Sequence, residues 1–272
     1  MSYLLPILAA LSLSAKPHQN NPQLNPIPAQ EQSVDSIYRT WSNNAWTGGE
    51  YLKYRVHYGV INAGEIEMTV EKETVEINKR KVWHINAKGR SYSGFDWFFK
   101  VRDHFQTYID QASIVPHQFV KSMQEGGYND TDFALFNHKK KWLSSKKGSM
   151  RIEPDVQDVI SAIYYARTLD ISKASPGDTF PLQVYLDGVI YPLRIKYIGK
   201  EVIKTDIGKV NAVKVIPMVV ADRVFKEDEG LELWVSDDAN KVPLRVKAAL
   251  AVGSIKVDIT GHKNLKHKLN KP

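Results

Sequence analysis

The chain alternates. In EYLKYRVHYGVI, Leu52, Tyr54, Val56, Tyr58 and Val60 fall on one side of an extended chain, and Lys53, Arg55 and His57 fall on the other. A period of two marks a half-buried strand. After turn chemistry at Asn62–Gly64, EIEMTVEKE opposes Ile66, Met68 and Val70 to Glu65, Glu67, Thr69 and Glu71. Similar runs cover Lys81–Gly89, Phe98–Ile109, His117–Gln124, Asp132–Phe136 and Lys141–Ser144, with Glu125-Gly126-Gly127 interrupting as a turn or bulge would. Phe180, Leu182, Val184 and Leu186 lead into Asp187-Gly188, and Val189, Tyr191, Leu193, Ile195 and Tyr197 lead out. That is a two-residue hairpin. A second hairpin turns at Asp206–Gly208, and three more strands follow, with a break at Gly253-Ser254 before the last. About a dozen strands at regular spacing predict a mainly β fold, a large antiparallel meander forming an open or half barrel.

One segment breaks the period. PDVQDVISAIYYART, Pro154–Thr168, reads as a helix over about 155–169. Asp155 is a candidate N-cap, and Asp158 three residues on resembles a capping box with Asp in place of Glu. Val156, Val159, Ile160, Ile163 and Tyr164 form one stripe, and Ala162, Tyr165, Ala166 and Leu169 cover most of the rest. A helix apolar nearly all round is a buried helix. The concave face of an open sheet has to be covered, and this is the segment apolar enough to cover it. Whether it acts as a fixed plug or a movable lid stays open.

The ends differ in character. MSYLLPILAALSLSAKP has an apolar run shorter than a membrane span, followed by small residues, which predicts a signal peptide over 1–15 and a periplasmic or secreted protein. No Lys or Arg precedes the run. Residues 16–47 are rich in Pro, Asn and Gln and read as a disordered leader with a short helix around Asp35–Trp46. A single β-rich domain spans 48–262, and 263–272 is a basic tail. No later stretch is apolar for long enough to span a bilayer. The formal charge is +7. For an exported chain the natural partner of the basic tail is an anionic envelope surface. Nucleic acid is not expected, because charge without a recognition motif gives only non-specific attraction. The 272 residues include no cysteine, which removes disulfides, thiolate zinc sites, thiol catalysis and a lipid anchor on Cys.

Signals for chemistry are thin. GRSYSG lacks the second glycine of a hydrolase elbow, and no helix follows it. In VRDHF, Arg102 and His104 share a strand face while Asp103 points away, and Asp237-Asp238 reads as a turn whose carboxylates accept backbone amides. The eight histidines show no zinc spacing, and no glycine-rich phosphate cradle is present, so no metal, cofactor or catalytic residue is assigned. Aromatics are concentrated in the first half. Large apolar residues build cores first, and pockets are made of the same types. With core as the first reading, Tyr54, Tyr58, Trp97, Phe99, Ile160, Ile163 and Tyr164 are the candidate ligand-binding residues.

The pieces GEYLKYRVHYGVINAGE, FKVRDHFQTYID, QEGGY, PDVQDVISAIYYART, SPGD and LELWVSDDANKVPLRVKAALAVGSI together resemble an exported bacterial family, domain of unknown function 3108, over about Gly48–Thr260. The resemblance implies a secreted or periplasmic protein with a half-barrel body, similar in shape to the open barrels that carry lipoproteins across the periplasm. It brings no catalytic residue. Shape alone is a weak warrant for function. The leading expectation is a non-catalytic envelope protein that binds a lipid, peptide or glycan, or a partner, in the half-barrel. The alternatives are an envelope hydrolase acting on glycan or lipid, which requires Asp103, His104, Asp237 and Asp238 to converge, and a structural or assembly module of an envelope complex.

Overall fold

The computed structural model describes residues 38–219, 230–249 and 253–272. The expected signal segment and the leader up to residue 37 lie outside the described residues. The described chain is mainly β, one large sheet that is not closed.

The sheet is a meander. β1 (Tyr51–Tyr58) pairs with β2 (Ile61–Val70), followed by the short β3 (Val75–Ile77), β4 (Arg80–Ser91), β5 (Arg102–Asp110), β6 (Pro116–Glu125), β7 (Tyr128–Asn137), β8 (Trp142–Ser145) and β9 (Gly148–Arg151). β10 (Gln157–Asp158) then starts a second run through β11 (Thr179–Leu186), β12 (Val189–Thr205), β13 (Gly208–Val219), β14 (Leu231–Ser236), β15 (Pro243–Ala249) and β16 (Ser254–Lys263). β16 returns to β1, so the ladder runs from β10 at one edge through β16 and β1 to β9 at the other, with β3 beside β4. The pairs are antiparallel except β10 with β11. Sixteen described strands exceed the dozen expected because short β3, β9 and β10 carry too few residues to show a period.

Alternation sets one continuous inner face. Cross-strand pairs on it include Val246 with Val257, Tyr54 with Ile66, Met68 with Ala87, and Phe119 with Ala134. The two edges then overlap. Val184 and Leu182 of β11 point inward, whereas Tyr185, on the opposite side of the same strand, packs against Phe136 of β7 at a ring separation of 6.0 Å and donates to Asp132 Oδ2 at 3.1 Å. The outer side of β11 thus lies on the inner side of β7, and the sheet is a roll whose ends lap rather than a barrel closed by backbone hydrogen bonds.

Three local expectations change. The first turn falls at Gly59-Val60, not at Asn62–Gly64, so Val60 is 99% exposed at a tip instead of inside. Gly64 is in a strand, where a Cβ would collide with the Arg90 carbonyl. The helix is shorter than 155–169. α1 (Ser93–Asp96) is one turn, and α2 (Val159–Ala166) is the buried helix. Its N-cap is Asp158, not Asp155: Asp158 Oδ1 accepts from Ile160 N and Ser161 N at 2.8 and 2.9 Å, and Ser161 Oγ completes the box on Asp158 N at 2.8 Å. Asp155 has φ +73° and pairs with Arg39 at 3.0 Å. Gln157 and Asp158 add to the edge of β11 before the helix begins, which delays its start.

The segment expected as leader is fixed from Tyr38 onward and contains no helix through residue 47. It straps α2: Trp46 Nε1 donates to the Tyr164 carbonyl at 3.1 Å, and Trp41 Nε1 to Thr168 Oγ1 at 2.7 Å. The tail is also tied down. Lys266 Nζ donates to the Asn43 carbonyl, Lys271 Nζ to the Ile207 carbonyl, and Leu269 is buried.

Candidate functional site

Each side of α2 meets a different surface, which explains why it is apolar all round. Trp46 and Tyr164 pack edge-on at 5.1 Å, and Trp41 meets Tyr165 at 5.4 Å. Thr107 of β5 donates to Asp158 Oδ2 at 2.6 Å. At the C-terminal end, the Arg167 fork grips Glu50 at 2.6 and 2.7 Å, while Nε donates to the Asn240 carbonyl. Both ions are essentially without solvent, so the pair ties helix to sheet only because every hydrogen-bonding arm is used.

The remaining face, Val159, Ala162, Ile163 and Ala166, borders a slot walled by the inner faces of β11 to β15 through residues such as Phe180, Leu182, Leu193, Ile195, Leu233 and Val246. The space is about 910 Å³ counted out to its open mouth, but only about 90 Å³ of it is wide enough to centre a water molecule. The first figure includes solvent at the mouth, so the second governs packing: the slot is narrow. Of its twenty lining residues, Arg167 and Lys241 are the charged ones. Lys241 has φ +45°, a left-handed conformation that costs a residue with a Cβ about 1–2 kcal/mol. It is half-buried, and burial lowers its pKa against the pull of Asp170 and Asp238.

A second inner-face cluster is polar. Lys121 is 1% exposed and pairs with Asp130 at 2.7 Å and with Asp187 in the β11–β12 turn. Burial, then the two partners, set its pKa, and the partners prevail and raise it. Asp103 and Glu125 are buried nearby on β5 and β6, where burial and then the Glu125 charge push Asp103 up to about 8. The Lys121 part of this cluster fastens the overlap.

Of the seven residues singled out from sequence, Ile163 lines the slot. Ile160, Tyr164 and Tyr54 are buried in the core. Tyr58 sits half-buried against Gly253, and Phe99 packs where a side chain on Gly126 would collide with it. Trp97 is 84% exposed on the α1 loop. The residues missed are on β11 to β15. Their alternation marks them as strands, but nothing in it separates a slot wall from an ordinary core face.

The hydrolase geometry does not form. Asp103 Oδ1 accepts Gln124 N at 3.1 Å on the inner face, whereas His104 Nε2 meets Asn86 Oδ1 at 2.8 Å on the outer. Asp238 accepts Asn240 N, as a turn residue would, and also Asn270 N of the tail. Five strands separate β5 from β14, after which Asp237 and Asp238 follow. Among the described residues no three His, Asp or Glu side chains converge in a way that would hold a metal.

A family model described as protein of unknown function, DUF3108, matches residues 53–260. The chain belongs to the DUF3108 family. The match runs from β1 to β16 and so includes both α2 and the slot walls. No curated protein matches the sequence. Among solved structures, this DUF3108 chain is similar to the β-barrel-like protein of domain of unknown function DUF1849 from Brucella abortus, with TM-score 0.54 and 10% identity over 80% of this chain and 98% of that one. At that identity the likeness concerns the fold alone. A protein provisionally classed as a lipoprotein from Parabacteroides distasonis matches at TM-score 0.36 and 12% identity over 83% and 100% of the two chains. A provisionally exported protein with a YmcC-like fold from Bacteroides fragilis matches at 0.36 and 10% over 83% and 99%. Those two scores are too low to carry an argument. No helix among the described residues is long and apolar enough to cross a membrane.

Proposed function

We propose that this is an exported, non-catalytic protein of the cell envelope that binds the apolar part of a ligand in the slot between α2 and β11 to β15. The observation that carries the reading is the lining: twenty residues, two of them charged, against one face of a helix whose other faces are already packed. Concave, mostly apolar spaces with a few polar groups are the usual form of a small-molecule site. Export rests on the apolar run Tyr3–Leu13 followed by small residues. α2 acts as a fixed wall, since Trp41, Trp46, Thr107 and Glu50 all hold the helix or its flanking residues.

The test is native mass spectrometry of the full chain recovered from the cell envelope, beside Ile163→Asp. The expected result is a co-purifying lipid-like mass on the wild type that the variant loses while keeping its fold. A wild type that never carries one removes the reading.

A second reading, docking to an envelope assembly, draws on the rim. Val60, Ile61, Trp97, Phe98 and Tyr128 are exposed at or beside the turns at one end of the sheet. Tyr92 N to the Ala63 carbonyl and Gly126 N to the Lys100 carbonyl link these turns. Trp97→Ser with Phe98→Ser would abolish recovery of a cross-linked partner if docking is the role, and would leave ligand carriage unchanged if it is not.

A further inference from the structure

Lys241 sets the slot apart from an ordinary core gap. Of the two cations on the lining, Arg167 is fully engaged, with Glu50 on both arms and the Asn240 carbonyl on Nε. Among the described residues Lys241 has no side-chain hydrogen bond and no ion pair. The two carboxylates that influence it are occupied elsewhere. Asp170 Oδ1 accepts Ser172 N and Oγ at 3.0 and 2.6 Å. Asp238 Oδ1 accepts Ser236 Oγ, Asn240 N and Asn240 Nδ2, and Oδ2 accepts Asn270 N. They hold their own turns, and neither forms an ion pair with Lys241, although both favour its charged form against burial and the nearby Arg167 charge.

We propose that the slot takes a single-chain anionic amphiphile of the acyl carboxylate class, with the carboxylate on Lys241 Nζ and the chain running between Ile163 of α2 and Leu193 and Leu233 of the sheet. The proposal deepens the binding reading above and rests on it. The thinness of the slot selects one hydrocarbon chain over two. The chemistry of the lysine selects the head. A half-desolvated ammonium gains a charge-assisted hydrogen bond from a carboxylate. A neutral alcohol gives it less, and a quaternary ammonium repels it. Burial already shifts Lys241 towards its neutral form, and an anion at Nζ reverses that shift.

The test uses the full chain and a fluorescent probe, 11-(dansylamino)undecanoate, displaced by palmitate, hexadecanol or hexadecyltrimethylammonium. Palmitate is expected to displace the probe at least tenfold more tightly than hexadecanol. Lys241→Met is expected to weaken palmitate about tenfold and leave hexadecanol unchanged, while Lys241→Arg keeps palmitate binding. Lys88→Met on the exposed outer surface controls for net charge, and thermal melts confirm that each variant is folded. If hexadecanol binds as tightly as palmitate, or Lys241→Met leaves palmitate unchanged, the head-group assignment is wrong and slot binding stands. If no probe binds and Ile163→Asp changes nothing, the slot reading fails with it.

Discussion

Lys121 and Asp187 meet across the lapped ends of the sheet, one in the middle of β6 and the other in a hairpin turn 66 residues later. Lys121 carries two carboxylates, since Asp130 takes its other side. Removing one member of a buried ion pair leaves the remainder uncompensated. Asp187 is partly exposed and Asp130 also meets Lys147, which moderates the cost. Lys121→Met should lower stability by about 2–3 kcal/mol by urea unfolding. Hydrogen exchange should rise first in β10 and β11. Adding Asp187→Asn should recover part of the loss, because the second change removes the charge that the first one stranded.

Asp103 gives the protein an alkaline slope. Burial, then the Glu125 charge, keeps its proton on up to about pH 8, whereas an unfolded Asp loses it near pH 4. Between those values the unfolded chain binds fewer protons than the folded one, so stability falls as pH rises, on the order of 1 kcal/mol per pH unit. Asp103→Asn should match the wild type near pH 4 and exceed it at pH 8 in denaturant midpoint. Equal pH profiles for the two would contradict this account.

His138 works in the opposite direction. Burial lowers its pKa to about 4, and its Nε2 donates to the Pro116 carbonyl at 2.7 Å. The unfolded histidine takes up a proton below about pH 6.5 that the folded one refuses. Stability is therefore lost as pH falls from 6.5 to 4. The two slopes oppose each other in that window, so the clean measurement compares Asp103→Asn with the double variant carrying His138→Gln. The double variant should be the flatter below pH 6.5. Asp110 adds a later loss: burial alone would raise it, but His117, Arg80 and Ser113 hold it well below the usual carboxylate range, and acid removes their contribution.

Asp158 and Asp155 should separate by mutation. At pH 7.5, Asp158→Ala removes the cap on two amides and the partner of the buried Thr107 hydroxyl, for a loss of about 2–3 kcal/mol. Asp155→Asn keeps a residue tolerant of positive φ and gives up only a pair with Arg39 whose carboxylate is 44% exposed, for a loss below about 1 kcal/mol. Thermal melts of the two decide between them.

What the sequence made legible was local. Asp187-Gly188 sits at φ +50° and +85°, as a tight hairpin needs, and Asp238 accepts amides from its own turn. The helix stands out because its composition differs from everything around it, and it starts later than that composition implies because Gln157 and Asp158 first pair with β11. Non-local facts stayed hidden. Lys121 occupies an inward position of β6 beside Phe119, and nothing within ten residues names Asp187 as its partner. The slot was hidden because its walls come from five strands and a helix, each of which reads alone as ordinary core. Lys241 follows a turn, and no pattern in the sequence around it marks it as lining a slot.

A closed barrel has a bore fixed by its strand number and stagger, and widening it means breaking ladder hydrogen bonds. A rolled sheet has no such constraint. Its girth depends on how far β11 is tucked beneath β7, and side chains alone hold that position. A sheet rolled in this way can therefore change its bore by letting its margin slip, with every strand still paired to its neighbours.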